Sequence, residues 1–552
     1  VTENMSHRPK LGLQGPVLAW QDPWAKEASD RLMRTGTGMV TPSQDPLPDR
    51  ESYMAILKEL GTEFYVHHMF PDLSGQAEML SDMVNSGIEV CLGNEYGNIN
   101  GPFVEGTNRY DVPDEAMITA ASSGKLIGLL YDELEHLQIN AGQYRKDGWF
   151  PHWAETEDLS LSQSEQRVMT AVSDRVSHVR DLLKVNGFDG DSVPLISEHV
   201  FPVMFHTMAR AGMTLCPKIM KESFQSLQLS TALGAAKQYG RSLWICADLW
   251  GPDIGNWFTR TSGFPGHSPE EFESALKMGY YMAPTHLFTE NVDALLAYNG
   301  IRFNKTEFGE VWARFVKDFV PNHGISWRHS DASPDIVLIH SDDSNYGQNA
   351  RLYGNRSEKS PEEATRSIFE AWHLLSHGSI PSHGSCMHIP GYNFPRHELK
   401  RRVPFEQFPL AHGADFIAAD AIHPLFYPVN NVLVFDDTVR AEQIGDPKLI
   451  IVAGSRITEE TLHAVRKKAE SGTTVIIGDW LLAGKWRESC TYGNGGVWLP
   501  VRSFINENAL EAAALFLGSQ DSWVQKFGRT ELRMYKKDTG GFTLDFEINQ
   551  RT

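Results

Sequence analysis

Acidic residues and histidines recur in this sequence just after short apolar runs. Gln21-Asp22 follows the run at residues 17–20, and His67-His68 follows the one at 64–66. Asn94-Glu95-Tyr96-Gly97 follows 88–92, Asp132-Glu133-Leu134-Glu135-His136 follows 126–131, and Glu198-His199 follows 193–196. Lys218, Lys221 and Glu222 come after 213–216, Asp248-Leu249-Trp250 after 243–247, and Thr289-Glu290-Asn291 after 280–282. Placing so many carboxyl groups near an apolar core costs several kcal/mol each, on the order of the usual burial penalty, unless they are paired or used. Cleaving an acetal uses two of them, one protonated to release the leaving oxygen and one ionised as nucleophile or base.

Glu133 is the leading candidate for the acid/base, because it follows the strongest apolar run and has Asp132 and Glu135 as like-charged neighbours. Glu290 is the candidate for the second carboxylate and Asp248 its competitor; the sequence does not separate them. Asp22, Asn94, Glu95, Asp132, Glu198, His199 and Lys218 are read as substrate-binding groups, with Trp250 and Trp257 as flat faces for a sugar ring. Each has a plainer alternative: Glu133 as a salt-bridged rim residue, Glu290 as a helix N-terminal acid, and most tryptophans as packing residues. Trp20, Trp24, Trp149 and Trp153 join the same aromatic group. A metal is not expected. His67 and His68 are adjacent on a strand and so face opposite ways, no HxH or HExxH occurs, and the five cysteines form no CxxC pair.

The apolar runs number eight and are separated by helical or polar stretches over roughly the first 300 residues, as expected for a (β/α)8 barrel of ordinary size. An open doubly wound sheet is the runner-up, and no GxGxxG follows the first run to support it. Functional groups of such a barrel lie at the C-terminal ends of its strands, where the acids fall. Ser268, Pro269, Glu270 and Glu271 read as the capped start of a helix, and residues 137–192 as a long helical insertion after the fourth strand. A second alternating region supplies strands at 335–340, 431–435, 448–452 and 473–477, with a helix capped by Thr458 and stopped at Gly472. Residues 531–535 and 541–546 read as strands of a small β module. The expected division is 1–325 for the barrel, 326–495 for a non-catalytic α/β domain and 496–552 for the β module.

This order of parts resembles the beta-galactosidases of glycoside hydrolase family 42 and related clan A barrel glycosidases. In them the barrel precedes a glutamine-amidotransferase-like α/β domain and a small β module. Residues 449–479 are similar to that second domain, and Asn94-Glu95-Tyr96-Gly97 matches the family's acid/base motif in letters. The motif follows the third apolar run here, whereas the family carries it at strand four, where this chain has Asp132-Glu133. The family's zinc-binding cysteine cluster is absent. The resemblance implies a retaining mechanism and a homo-oligomer, often a trimer, with a dimer as the alternative.

The expected activity is therefore hydrolysis of O-glycosidic bonds in oligosaccharides or glycosides without a cofactor. A non-catalytic sugar-binding barrel and, less favoured, a metal-dependent hydrolase are the alternatives. The formal charge of −20 disfavours nucleic acid as a partner, and the short basic run Lys400-Arg401-Arg402 reads as a solvated loop. No apolar stretch is long enough to span a membrane. The chain opens Val-Thr-Glu-Asn, with neither an initiator Met nor a charged-then-apolar leader, so a soluble protein is expected, cytoplasmic or exported after leader removal.

Overall fold

In the computed structural model eight parallel strands close into a barrel in chain order. They are β1 (Lys10–Gln14), β2 (Phe64–His68), β3 (Glu89–Gly93), β4 (Leu126–Asp132), β5 (Leu195–His199), β6 (Thr214–Ile219), β7 (Trp244–Asp248) and β8 (His286–Glu290). The described residues are 7–16, 20–25, 47–70, 73–93, 112–135, 159–220, 225–249, 267–342, 362–380, 382 and 424–550. Asn94, Glu95, Trp149, Trp153, Lys221, Glu222, Trp250, Trp257 and the run Lys400-Arg401-Arg402 lie outside them.

Six of the eight strands fall where the apolar runs predict them; the first and last do not. β1 lies at Lys10–Gln14, upstream of the run at 17–20. Its signal is weak because it carries a lysine, a glutamine and Gly12. That glycine is needed there, since a Cβ would lie 2.4 Å from the ring of Phe64. Tyr280 and Tyr281 belong to the helix Pro269–Tyr281, not to a strand, and β8 follows at His286. They are apolar because that end of the helix is packed under other elements. The helix start is as expected, with Ser268 and Glu271 forming a reciprocal capping box and Pro269 at the first position.

Inside the barrel, Phe64, Val66, Cys91, Leu130, Ile196, Cys216, Trp244, Cys246 and Phe288 form one packed cluster. Three cysteines are thus small buried hydrophobes. The helix Leu161–Val185, capped by Ser160 and Gln163, is the crossover from β4 to β5 itself and accounts for much of the long connection.

The second region forms a six-stranded sheet in the order β12-β11-β13-β14-β16-β15. Its members are β11 (Ile336–Ile339), β12 (Val432–Phe435), β13 (Leu449–Val452), β14 (Thr474–Gly478), β15 (Cys490–Thr491) and β16 (Val497–Val501), and only β15 runs antiparallel. Because β16 pairs with β14, this sheet extends past residue 495, where the sequence reading ended the α/β domain. β17 (Trp523–Phe527), β18 (Thr530–Lys536) and β19 (Leu544–Gln550) make the terminal antiparallel sheet. Among the described residues no helix is long and apolar enough to cross a membrane.

The α/β sheet lies directly on the barrel. Helix Gln225–Tyr239, between β6 and β7, packs so closely against β12 that a Cβ on Gly234 would lie 1.7 Å from the Val434 carbonyl oxygen. Around that contact Gln238 Nε2 donates to Asp436 Oδ1 at 2.6 Å and Tyr239 OH to Asp436 Oδ2 at 2.5 Å. The Thr207 amide and hydroxyl donate to Asp342 Oδ2 at 2.7 and 2.8 Å. Buried Glu165 on the β4–β5 crossover binds both Arg210 and Arg456. Substituting Gly234→Ala forces helix and strand apart and is expected to cost about 1–3 kcal/mol, as overpacking does. Gly493→Ala, with open space around it, should stay within ~0.5 kcal/mol of the parent. Denaturant unfolding of the two variants checks this, and equal midpoints would refute the close approach.

Candidate active site

One lysine organises the C-terminal mouth of the barrel. Lys218 is the fifth residue of β6 and is 3% exposed, with its ammonium surrounded by acids from four other strand ends. Nζ lies 2.9 Å from Asp132 Oδ1, 3.3 Å from Glu133 Oε1 and 2.9 Å from Glu290 Oε2. It is 3.7 Å from both Glu198 Oε2 and Asp248 Oδ2.

Strand register places these groups. Asp132 pairs with Glu198 across β4 and β5, and Asp248 with Glu290 across β7 and β8, so each pair ends its strands at one level. Glu133, the residue after β4, donates its amide to the Glu198 carbonyl at 3.0 Å. Its φ of 50° is left-handed, which for a residue with a side chain costs on the order of 1 kcal/mol and persists only where surroundings hold it. Glu198 and Asp248 are fully buried and Glu290 is 2% exposed. The Asp132 and Glu133 side chains are partly open, at 12% and 17%.

Burial alone would lower the affinity of Lys218 for its proton. Asp132, Glu198, Glu290 and Glu133 outweigh that and hold its pKa well above the usual lysine value. A lysine held so firmly as ammonium is a fixed counter-charge and not a nucleophile. Glu198 responds oppositely: burial pushes its carboxyl well above the ordinary range, Lys218 opposes this, and Asp132 and Glu290 add to it. Glu198 is therefore an acid in the floor of the site that holds its proton more tightly than a free carboxyl.

Glu198, Cys246 and Glu290 place one donor atom each within 4.8 Å of one another, a grouping of metal-ligand type. It does not fit a metal. The Lys218 ammonium already sits against both carboxyl groups, and burial keeps the Cys246 thiol protonated.

The structure brings together six of the residues singled out in the sequence: Asp132, Glu133, Glu198, Lys218, Asp248 and Glu290. Two others lie elsewhere. Asp22 is buried after β1, where Oδ1 accepts from the Trp24 amide at 2.8 Å and closes a local turn. His199 is turned behind the rim: one ring nitrogen meets Ser197 Oγ at 2.5 Å, the other the Val203 carbonyl at 3.1 Å, and Phe205 stacks on the ring. Burial pulls its pKa down to about 3, so it is neutral. Trp20 and Trp24 are packing residues whose indoles donate to the Leu296 carbonyl and to Asp82. Alternation along β2 turns His68 inward with Phe64 and Val66, while His67 faces outward beside Tyr65 and Trp24.

Three groups near the mouth escaped the sequence reading. Gln14 ends β1 and donates to Asn291 Oδ1 at 3.0 Å, just past Glu290; correct placement of β1 would have revealed it. His68 was weighed only as a metal ligand. Glu135 was noted only as a charge beside Glu133.

No family model and no curated protein sequence matches the chain. Among solved structures, 98% of the chain superimposes on 100% of a beta-galactosidase from the psychrophilic Marinomonas ef1, with a TM-score of 0.52 and 10% identity. An exo-beta-1,4-mannosidase from Opitutaceae bacterium strain TAV5 matches 87% of the chain over 79% of its own length, with a TM-score of 0.44 and 10% identity. A beta-galactosidase from Halorubrum lacusprofundi matches 98% over 81%, again at 0.44 and 10%. The protein thus has a (β/α)8-barrel fold followed by further sheets, and shares that fold end to end with the Marinomonas enzyme. At this identity the likeness is one of fold, and membership of family 42 does not follow from it.

Replacing Lys218 by Met leaves buried carboxyl groups without their counter-charge, a loss of about 3–5 kcal/mol for a broken buried pair. In that variant the acids' pKa values rise in the folded state. Its stability should therefore be highest at acid pH, where they are neutral in both states, and fall as pH rises through their folded pKa values. Thermal unfolding from pH 4 to 8 checks this; a variant with parental stability at pH 8 would show that the ammonium is dispensable.

Proposed function

We propose that this protein is a glycoside hydrolase that cleaves O-glycosidic bonds of oligosaccharides or glycosides, with Glu133 as general acid/base and Glu290 as nucleophile. The observation that carries the reading is that both carboxylates touch one nitrogen. Glu133 Oε1 is 3.3 Å and Glu290 Oε2 2.9 Å from Lys218 Nζ, so the oxygens cannot be farther apart than those two contacts laid end to end. That limit holds for the two facing oxygens and is compatible with the roughly 5–5.5 Å carboxyl separation of retaining enzymes. Asp248 stands farther from the same nitrogen, at 3.7 Å, and Glu290, in direct contact with it at 2.9 Å, is the preferred partner.

In the proposed sequence Glu290 attacks the anomeric carbon while Glu133 gives its proton to the departing glycosidic oxygen. Water then attacks the glycosyl–enzyme ester, Glu133 takes the water's proton, and Glu290 leaves as carboxylate. Lys218 remains beside Glu290 as its counter-charge, and Glu133, the more accessible of the two, exchanges its contact with the ammonium for the substrate. Since carboxylates engage Lys218, it does not offer a free cation to an anionic sugar.

Turnover of a panel of aryl glycosides tests the reading. Glu133→Gln should lower kcat by about 10²–10⁴-fold on substrates with poor leaving groups. Glu290→Gln should abolish turnover, Asp248→Asn should do less damage, and the first-formed sugar should keep its anomeric configuration by NMR. If both glutamine variants keep parental rates on a substrate that is turned over, the assignment is wrong. Sugar binding without turnover would instead mark a binding protein, and loss of activity to a chelator a metal-dependent hydrolase.

A further inference from the structure

Building on the reading of Glu133 as acid/base, we infer that Glu135 is the positioning residue that holds the Glu133 turn against the end of β5. The Glu135 side chain is fully buried. Its Oε1 accepts from the backbone amides of Val200 at 2.5 Å and Phe201 at 3.0 Å, the two residues after β5. Glu133 donates its own amide to the carbonyl of Glu198 in that strand. The turn bearing Glu133 is thus suspended from β5 at two points, one on each side of its left-handed residue. Without the carboxyl group two buried amides lose their acceptor and the turn loses one of its two attachments.

The charge state of Glu135 links this clamp to pH. Among the described residues, the titratable groups facing it are Glu133 on its own turn and His199 on β5, whose Nδ1 is 3.7 Å from Oε2. His199 is neutral and so offers no counter-charge. Burial raises the Glu135 pKa to about 8; the Phe201 and Val200 amides oppose this and Glu133 adds to it. A carboxyl raised above its ordinary value stabilises the fold fully at pH below that value and loses the contribution as pH rises through about 8. Ionisation there puts a negative charge in a fully buried position two residues from Glu133, which it repels electrostatically and so makes a poorer proton donor to the leaving group. Activity is then expected to fall as pH rises through about 8 because Glu135 ionises, and not because of a group that touches substrate.

Two variants of the full chain test this. Glu135→Gln keeps an oxygen acceptor for both amides and cannot ionise, so kcat at pH 6.5 should stay within about threefold of the parent while the fall near pH 8 disappears. Glu135→Ala should lower kcat at least tenfold with KM changed less, and should speed hydrogen exchange of the Val200 and Phe201 amides at least tenfold. A glutamine variant with the parental alkaline limb overturns the proposal, as does an alanine variant with parental kcat and amide exchange. Should Glu135→Ala fail to fold, the pH profile of Glu135→Gln decides alone. The outcomes separate this inference from the reading beneath it. Loss of activity in Glu133→Gln with unaltered Glu135 variants refutes only the clamp, whereas full activity in Glu133→Gln refutes the acid/base assignment whatever amide exchange reports.

Discussion

A buried ammonium among five carboxyl groups is the interaction on which the mouth of this barrel depends. Lys218 rises from β6, and the acids reach it from β4, β5, β7 and β8. Strands four and eight stand opposite each other in an eight-stranded barrel, and strand six lies midway between them. A long side chain from β6 can therefore reach both. The distances follow that symmetry: the acids of β4 and β8 approach to 2.9 Å, and those of the flanking β5 and β7 to 3.7 Å. Five carboxyl groups face this one ammonium, and burial raises the pKa of Glu198 well above the ordinary carboxyl range. Removing buried charge by binding a proton is the general answer when partners are too few.

The rest of the molecule keeps that arrangement rigid. Register between neighbouring strands sets Asp132 level with Glu198 and Asp248 level with Glu290, and slipping a strand by one residue would turn its acid into the wrong layer. The β4–β5 crossover and the helices before and after β6 are clamped from outside by the α/β sheet. Asp342 holds Thr207, Asp436 holds Gln238 and Tyr239, and Arg456 reaches Glu165. The α/β sheet thus braces the sector of the barrel that carries Glu133, Glu198 and Lys218. That gives it a structural role.

Much of this was legible in the sequence because burial on both faces of a parallel strand leaves a plain apolar run, and a charged residue at its end stands out. Six strands emerge that way, and so do the six residues that the structure gathers at the mouth. β1 did not, because Lys10, Gly12 and Gln14 dilute its signal, and the misplaced strand took Gln14 with it and promoted Asp22. β8 was displaced because a buried helix end, Tyr280 to Met282, looks like a short strand when read by hydropathy alone. Lys218 was visible as a candidate, but its role was not. Sequence position cannot show that a lysine's partners are five acids gathered from four other strands. Glu135 sits two residues from the leading candidate and could be weighed only as a charge, since its partners are backbone amides that no side-chain pattern reveals.

The proposed function raises the question of which acid would do the chemistry. The letters Asn94-Glu95 suggest one answer and strand position another. β3 ends at Gly93, so Glu95 follows the third strand, whereas Glu133 follows the fourth. In a barrel, position outranks local sequence, because each strand occupies a fixed angle around the mouth and a catalytic pair must span a single bond. Glu133 and Glu290 leave from opposed strands yet meet at one nitrogen, which places a glycosidic bond between them on the reading proposed above. Two carboxylates converging from opposite walls on a charge held between them can divide the work, one toward the leaving oxygen and one toward the anomeric carbon. On the proposed reading the strand count favours Glu133 over Glu95 as the acid/base.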